Sequence, residues 1–337
     1  MLIGKNELVV DSATKFNSYL WISGWLKPEK GKLTNIRATS NATVLAQNSV
    51  VGIDHGGVLA SLGKGLGFQI QVLLQQPYSF QTDLSINFEF SNQEMFTTQL
   101  SDLIQDRIQR YESYNVGREF NQQIRNHDGA KVLDLGGRSR SKLDRSTFFP
   151  GVNYTVVDIL PGENVDVVAD AHNLSNHFQS NTFDYIVSTS VFEHLSMPWK
   201  VALEMNRVMK MGGKAMIQTH QSIGMHDLPW DFFRFSDAAW DGIFNPKSGF
   251  RIVKRVLDHE NYVLPFIIRP DQINAEKSAG FEVSLVVVEK ISETQLSWEV
   301  NQNEIISSSY PSHEDGNDPK LRELLVHGIA KVRKLIT

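Results

Sequence analysis

A chain of 337 residues, 41% hydrophobic and 21% charged, is long enough for two domains with cores of their own. Its formal net charge of -5 gives no electrostatic footprint for a nucleic acid or an anionic membrane surface. The absence of cysteine excludes disulfides, a thiol nucleophile, and cysteine-ligated zinc or iron–sulfur centres.

The amino terminus has neither the basic segment nor the apolar core of a secretion signal, and no run approaches membrane-spanning length. A cytoplasmic protein without a membrane span is expected. Residues 1–97 read as a small all-β domain of the sandwich type. Tyr19–Leu26, Thr43–Ala46, Phe68–Leu74 and Leu84–Phe90 are short strand-like runs, several of them alternating apolar with polar residues. Trp21, Trp25 and Phe68 offer ring faces to a sugar, but core packing is the expected role.

Residues 98–127 change character and predict a connecting helix. Ser101 offers an N-cap, and Leu100, Ile104, Ile108, Tyr111, Val116, Phe120 and Ile124 recur at helical spacing. The pattern allows one long helix or two, broken near Gly117.

From 128 to 291 strands alternate with loops and helices, the signature of a mostly parallel sheet. Lys131–Leu135 is a short apolar strand carrying Asp134 and running into Gly136-Gly137-Arg138. Tyr154–Asp158 and Val165–Asp170 are two further strands that each end in an acid. Phe183–Ser188 leads into Ser190-Val-Phe-Glu193-His194. A helix capped by Ser196, with Pro198 at its start, is expected to stop at Gly212-Gly213, before a fifth strand over Lys214–Thr219. Residues 250–257 and 281–289 supply two more strands, making seven. The polar stretch 292–318 reads as a linker or surface wrap. Leu321, Leu325, Ile329, Val332 and Ile336 form one stripe on a final helix, a candidate homodimer contact.

In this order, 128–291 resembles the class I S-adenosylmethionine-dependent methyltransferases, in particular the type 11 group. The resemblance implies an α/β fold with a Rossmann-like seven-stranded sheet and S-adenosylmethionine as cofactor. It implies cofactor-binding roles for Asp134, Gly136, Gly137 and Arg138 in the first motif. It adds Asp158 and Ile159 at the ribose, Asp170 and Ala171 at the adenine, and Ser188 on the fourth strand. The first motif departs from the commonest Gly-x-Gly-x-Gly form, with Arg138 and Arg140 in place of later glycines, and the helix after it is short. One subgroup with such motifs carries a His-x-x-Pro-x-Asp-x-x-Arg-Phe signature after strand five. It stands here as His226, Pro229, Asp231, Arg234 and Phe235.

Methyl transfer to a hydroxyl needs a proton acceptor, and histidine suits neutral pH. His226 is the first candidate base and His194 the second, with His220 and Asp231 as further catalytic candidates. Asp231 and Arg234, three apart, also fit a plain ion pair. Glu193, His194 and a distant histidine resemble the Glu-x-x-Glu-His set with which some methyltransferases hold a divalent ion. Ser190 replaces the first Glu, and no metal is expected. The amino-terminal domain, with its Gly24-Trp25 and Gly67-Phe68 strands, resembles accessory modules of surface-glycan biosynthesis enzymes. Where those carry Arg-x-Asp-Val, this chain has Gly52-Ile53-Asp54-His55. The acceptor implied is a sugar or polysaccharide hydroxyl; a phenolic small molecule and a catalytically inactive scaffold are the alternatives.

Overall fold

The computed structural model describes all residues except 1, 4, 5, 17, 42, 55–62, 75–82, 140–143, 264–266, 268, 273–278 and 312–337. Arg140, His55 and the stripe beyond Asp318 lie outside the described residues. The chain divides into two units, 1–114 and 115–337.

The first unit holds β1 (Leu2–Ile3), β2 (Asn6–Phe16), β3 (Tyr19–Lys27), β4 (Leu33–Ser40) and β5 (Thr43–Val44). It continues with β6 (Gln47–Ile53), β7 (Gly67–Leu73), β8 (Ser85–Phe90), β9 (Met95–Gln99) and α1 (Leu100–Gln109). Two antiparallel sheets, β1-β2-β3-β7-β6 and β5-β4-β8-β9, contribute to one core cluster. Leu20, Ile22, Phe68, Ile70 and Val72 come from the first sheet, and Ile36, Ile86 and Phe88 from the second. Phe68 and Phe88 meet edge to face, with ring centroids 5.4 Å apart.

Gly24 faces Phe68 across the β3–β7 ladder, and a Cβ on Gly24 would lie 3.0 Å from the Phe68 ring and 2.2 Å from the Val9 carbonyl oxygen. Glycine is required there for close packing rather than for its backbone freedom. Trp25 and Phe68 are buried, whereas Trp21 is 41% exposed. Asp54 accepts a hydrogen bond from the Gly65 amide at 2.9 Å. β2 escapes the alternation rule because its register shifts between Val10 and Ser12.

Between α1 and α2 (Glu112–Arg125) the break falls at Arg110–Tyr111, not at Gly117, which lies inside α2. A Cβ on Gly117 would meet nothing within 4 Å, so no contact there requires glycine. Ser101 is not the cap: Gln99 holds that position, and the Ser101 amide and hydroxyl both turn to the Asp83 carboxylate.

The second unit continues with β10 (Lys131–Leu135), β11 (Asn153–Asp158), β12 (Val167–Val168), β13 (Phe183–Thr189) and α3 (Pro198–Val208). Then come β14 (Met209–His220), α4 (Ala239–Ile243), β15 (Phe250–Tyr262), β16 (Ala279–Lys290) and α5 (Gln302–Ile305). Seven strands form one sheet in the order β12-β11-β10-β13-β14-β16-β15, with β16 antiparallel to both of its neighbours. This is the expected seven-stranded, Rossmann-like sheet.

Both sheet faces are covered, which explains the continuous apolar runs in the sequence. Leu133, Leu135, Ile186 and Ile217 point into a cluster with α3 and α4, while Val132, Val187 and Leu285 point to Phe120 and Ile124 of α2. α3 ends earlier than its glycines suggest. Val208 is its last residue, and Gly212-Gly213 lie within β14, where the β13–β14 register shifts. Ser196 does not cap α3; Met197 stands at that position without a side-chain bond. The strand read over 165–170 forms ladder pairs only at Val167–Val168. Between the glycine turn and β11 the described residues hold one short 3-10 turn, Arg145–Phe148.

Candidate active site

The strand order reverses between β10 and β13, and at that point the carboxyl ends of β10, β11 and β13 open a crevice. A cavity of about 350 Å³ lies there, lined at one side by Gly136, Arg138, Asp158, Ile159, Asp170 and Ala171 and at the other by Ser190, His194, His226, Trp230 and Tyr310. Such a volume suits a small-molecule site.

The glycine turn is built for close approach. Gly136 has φ +73°, and a Cβ there would meet Val191 at 2.2 Å. A Cβ on Gly137 would lie 2.4 Å from the Asp134 carboxyl carbon. Asp134 itself is fully buried beneath the turn, accepting from the Tyr154 hydroxyl at 2.9 Å and from Arg145 at 3.1 Å. Burial pushes its pKa up, against the opposing pull of Arg145 and Tyr154. Burial and the Asp134 charge push the Tyr154 phenol well above its ordinary range. Asp134 and Gly137 therefore support the turn and do not line the cavity. Asn164 pins the turn from outside, accepting from the Ser139 amide and donating to the Gly137 carbonyl, both at 2.9 Å.

Asp158 ends β11 at the cavity wall. Its carboxylate accepts from the Leu160 amide at 2.9 Å, the Arg138 amide at 3.3 Å and the Arg138 Nε at 3.4 Å. Arg138 thus lies along Asp158 instead of pointing outward. Asp170 caps a 3-10 turn and binds His172 through both backbone and ring. Burial opposes ionisation of Asp170, but the hydrogen bonds and charge of His172 outweigh it and hold the carboxyl below its usual range. Ser188 is buried between strands, its hydroxyl donating to the Leu135 carbonyl at 3.1 Å, away from the cavity wall.

At the opposite side the chain leaves β13 through Ser190, at φ +55°, into the turn Phe192–His194. Glu193 is fully buried, and its Oε2 accepts a short hydrogen bond from Thr219. His194 Nδ1 bonds the Trp230 carbonyl at 2.7 Å, and His226 Nδ1 bonds the Gly224 carbonyl at 3.1 Å. Burial draws the His194 pKa down, against the pull of Glu193 and the Trp230 carbonyl. His220 ends β14 with its Nε2 at 3.3 Å from Ser190 Oγ; it lies behind the cavity wall. Among the described residues, Glu193, His194 and His226 are a group whose ligand atoms lie within 4.8 Å of one another, a possibility the replacement of a glutamate by Ser190 had weighed against.

Asp231 does not reach the cavity. It grips Arg234 with both oxygens, at 2.6 and 2.8 Å, and accepts the His226 amide at 2.9 Å. Despite burial, the Arg234 and His226 hydrogen bonds hold its pKa below the ordinary carboxylate value. It anchors the loop that carries His226.

Wall residues that the sequence did not single out include Arg145, His172, Gln302 and Tyr310. His172 lies only two positions beyond Asp170, a spacing that invites a capping contact. Gln302 and Tyr310 come from the polar stretch after β16, where composition carries no site signal. The Tyr310 hydroxyl donates to Asp227 at 3.2 Å, and its ring packs on Trp230 and His194.

Residues 146–217 match the family described as "Methyltransferase domain". No curated protein matches the chain. Among solved structures, a SAM-dependent methyltransferase from Archaeoglobus fulgidus is 18% identical, with a TM-score of 0.40 over 51% of this chain and 90% of that one. The 1,6-didemethyltoxoflavin-N1-methyltransferase of Burkholderia thailandensis, solved with its substrate and S-adenosylhomocysteine, is 17% identical, with a TM-score of 0.37 over 53% and 84%. The residues present fit a nucleoside cofactor: the glycine turn at Gly136 and the carboxylates of Asp158 and Asp170 line the same cavity. Within the second unit, residues 146–217 thus carry the match to a methyltransferase domain.

Proposed function

We propose that this enzyme methylates a hydroxyl of a sugar or surface polysaccharide. One observation carries the reading: a single cavity joins the carboxylates of Asp158 and Asp170 to the imidazoles of His194 and His226. Asp158 takes the ribose hydroxyls, displacing Arg138, and Ile159 flanks them. Asp170 and Ala171 take the adenine. Gly136 and Gly137 pass beneath the methionine moiety, held from below by Asp134 and from the side by Ser188.

The bound cofactor supplies a methyl group already activated by the sulfonium. What remains for the protein is alignment, worth about 7–11 kcal/mol in favourable cases, and disposal of the acceptor proton. That proton is handled by the imidazole group around Glu193. His226 stands first because its side chain is 32% exposed, against 6% for His194 and 15% for His220. Asp231 acts through His226, as a positioning residue. Trp230 and Tyr310 close the wall against water.

The sugar class rests on the first unit, which we read as a β-sandwich accessory domain. Its Gly24-Trp25 and Gly67-Phe68 strands interlock, and its exposed Trp21 and Tyr19 give it a ring-bearing face. We take 1–97 as that domain, 98–127 as a connector and 128–291 as the catalytic domain.

The test screens nucleotide sugars, oligosaccharides and phenols with radiolabelled cofactor. A saccharide should accept label, and His226→Ala should lower turnover by about 10²–10⁴-fold with cofactor affinity unchanged. Label on phenols alone would overturn the acceptor class. Near wild-type turnover in His226→Ala would remove that histidine from the chemistry.

A further inference from the structure

The fully buried Glu193 is unusual in how its second oxygen is surrounded. Oε2 is satisfied by Thr219, but Oε1 is buried without a hydrogen-bond partner. Three imidazole nitrogens converge on it: His220 Nε2 at 3.3 Å, His194 Nε2 at 3.8 Å and His226 Nε2 at 4.0 Å. A buried acceptor left unbonded costs about 1–3 kcal/mol, more for a charged group, and calls for an explanation.

The other nitrogens of two rings supply it. His194 Nδ1 and His226 Nδ1 both face backbone carbonyls, of Trp230 and Gly224, so each carries its hydrogen on Nδ1. In that tautomer both Nε2 atoms present lone pairs to a carboxylate lone pair. Among the described residues Oε1 receives no hydrogen bond, and the nearest ring nitrogen, His220 Nε2, lies as close to Ser190 Oγ as to Oε1. A cation placed between Oε1 and the two Nε2 atoms resolves their convergence, and a backbone carbonyl on the remote ring nitrogen is the support usual for ligating histidine.

We propose that Glu193, His194 and His226 hold one divalent first-row transition ion, of the Mn²⁺, Co²⁺ or Zn²⁺ kind. Mixed imidazole and carboxylate donors select this class over Mg²⁺ and Ca²⁺, which prefer all-oxygen sets. Four ligands at about 2.0–2.1 Å in a tetrahedron stand near 3.4 Å apart. The Glu193 to His194 and Glu193 to His226 separations are 3.8 and 4.0 Å, and all three ligand atoms lie within 4.8 Å of one another, so the set draws inward on binding an ion. His194 and His226 also line the cavity, so the ion's remaining face is open to the acceptor. With His226 engaged as a ligand, the ion replaces its imidazole in handling the acceptor proton: an acceptor hydroxyl bound there releases its proton to solvent more readily, because a bound cation lowers the pKa of a coordinated oxygen acid. This catalytic role rests on the function proposed above; the metal site itself does not.

The test uses the full chain, stripped with a chelator and titrated with Co²⁺, whose visible absorption reports coordination. Wild type should take up one Co²⁺ per chain, with Zn²⁺ competing and Mg²⁺ not. His194→Ala, His226→Ala and Glu193→Gln should each weaken uptake by at least about 10–100-fold. S-adenosylhomocysteine binding to the stripped protein, measured by calorimetry, should persist in every folded variant. His226→Ala, at the exposed edge, serves as the test variant if the buried positions fail to fold. No Co²⁺ band in wild type, or unchanged uptake in His226→Ala, overturns the metal site. If S-adenosylhomocysteine still binds in that case, the methyltransferase reading stands alone; uptake of Co²⁺ without S-adenosylhomocysteine binding separates the two the other way.

Discussion

Asp170 and His172 bind each other twice: the Asp170 carboxylate accepts from the His172 amide at 2.9 Å and meets its ring Nδ1 at 2.6 Å. The opposite ring nitrogen accepts from the Met197 amide at 3.3 Å, so the buried ring bridges the turn after β12 to the start of α3. Asp170 has its folded pKa lowered, so its contribution to stability is present above the unfolded carboxylate value, near 3.9. That contribution is lost as pH falls through the lower, folded pKa. Asp170→Asn should therefore be less stable than wild type at neutral pH, with the gap closing below about pH 4. Urea denaturation across pH 3–7, roughly spanning that carboxylate titration, checks it. A gap that is the same at every pH would refute the assignment.

Asp158→Ala should weaken S-adenosylhomocysteine binding by about 10–100-fold, the loss of charge-assisted hydrogen bonds. Arg138→Ala should leave adenosine binding equal or tighter, because it frees the carboxylate that Arg138 now occupies. Calorimetry on both variants decides, and unchanged affinity in Asp158→Ala removes it from the ribose site.

Gly137→Ala drives a methyl into the Asp134 carboxyl. The expected loss of stability is about 1–3 kcal/mol, as for overpacking. Asp134→Ala should by itself be destabilising, since it orphans the Tyr154 hydroxyl and Arg145. The double variant should cost less than the sum of the two, and a double-mutant cycle by urea denaturation measures the difference.

Lys290→Met should cost about 1–3 kcal/mol. The Lys290 ammonium is fully buried and donates to the Asn206 and Met209 carbonyls at 2.7 and 2.9 Å and to Asn181 at 3.0 Å. Methionine fills the space but leaves those acceptors dry. A neutral result in urea unfolding would show that water replaces the ammonium there.

A fragment of residues 115–337 should fold and bind S-adenosylhomocysteine, since every cavity-lining residue lies beyond 130. A fragment that is folded by circular dichroism yet does not bind would overturn the modular reading.

The seven-stranded sheet was legible because β10 and β13 are largely buried and read as short, mainly apolar runs followed by turns. β2 and the start of β14 were not, since register shifts at Val10–Ser12 and Phe183–Tyr185 break the period that reveals strands. At the site, Asp158 and Asp170 announced themselves as strand-end acids. Asp231 could not be sorted by sequence, because the three-residue spacing to Arg234 says nothing of which groups are buried. Glu193 drew notice only beside His194; the convergence of His220 and His226 on it depends on where two distant segments end in space. Tyr310 carries no local signal at all.

The placement of β16 also orders events during synthesis. It is the last strand of the sheet to be made, yet it pairs on both sides, with β14 and with β15. As the nascent chain emerges, β12, β11, β10 and β13 have their neighbours by residue 220 and β14 has only β13, while β15, complete at residue 262, has none. A ribosome paused before residue 279 therefore presents the open edge of β14 and an unpaired thirteen-residue β15 together. Two such edges are sites for pairing with another chain, so the interval between residues 262 and 290 is when this sheet is most exposed to aggregation and to chaperone capture.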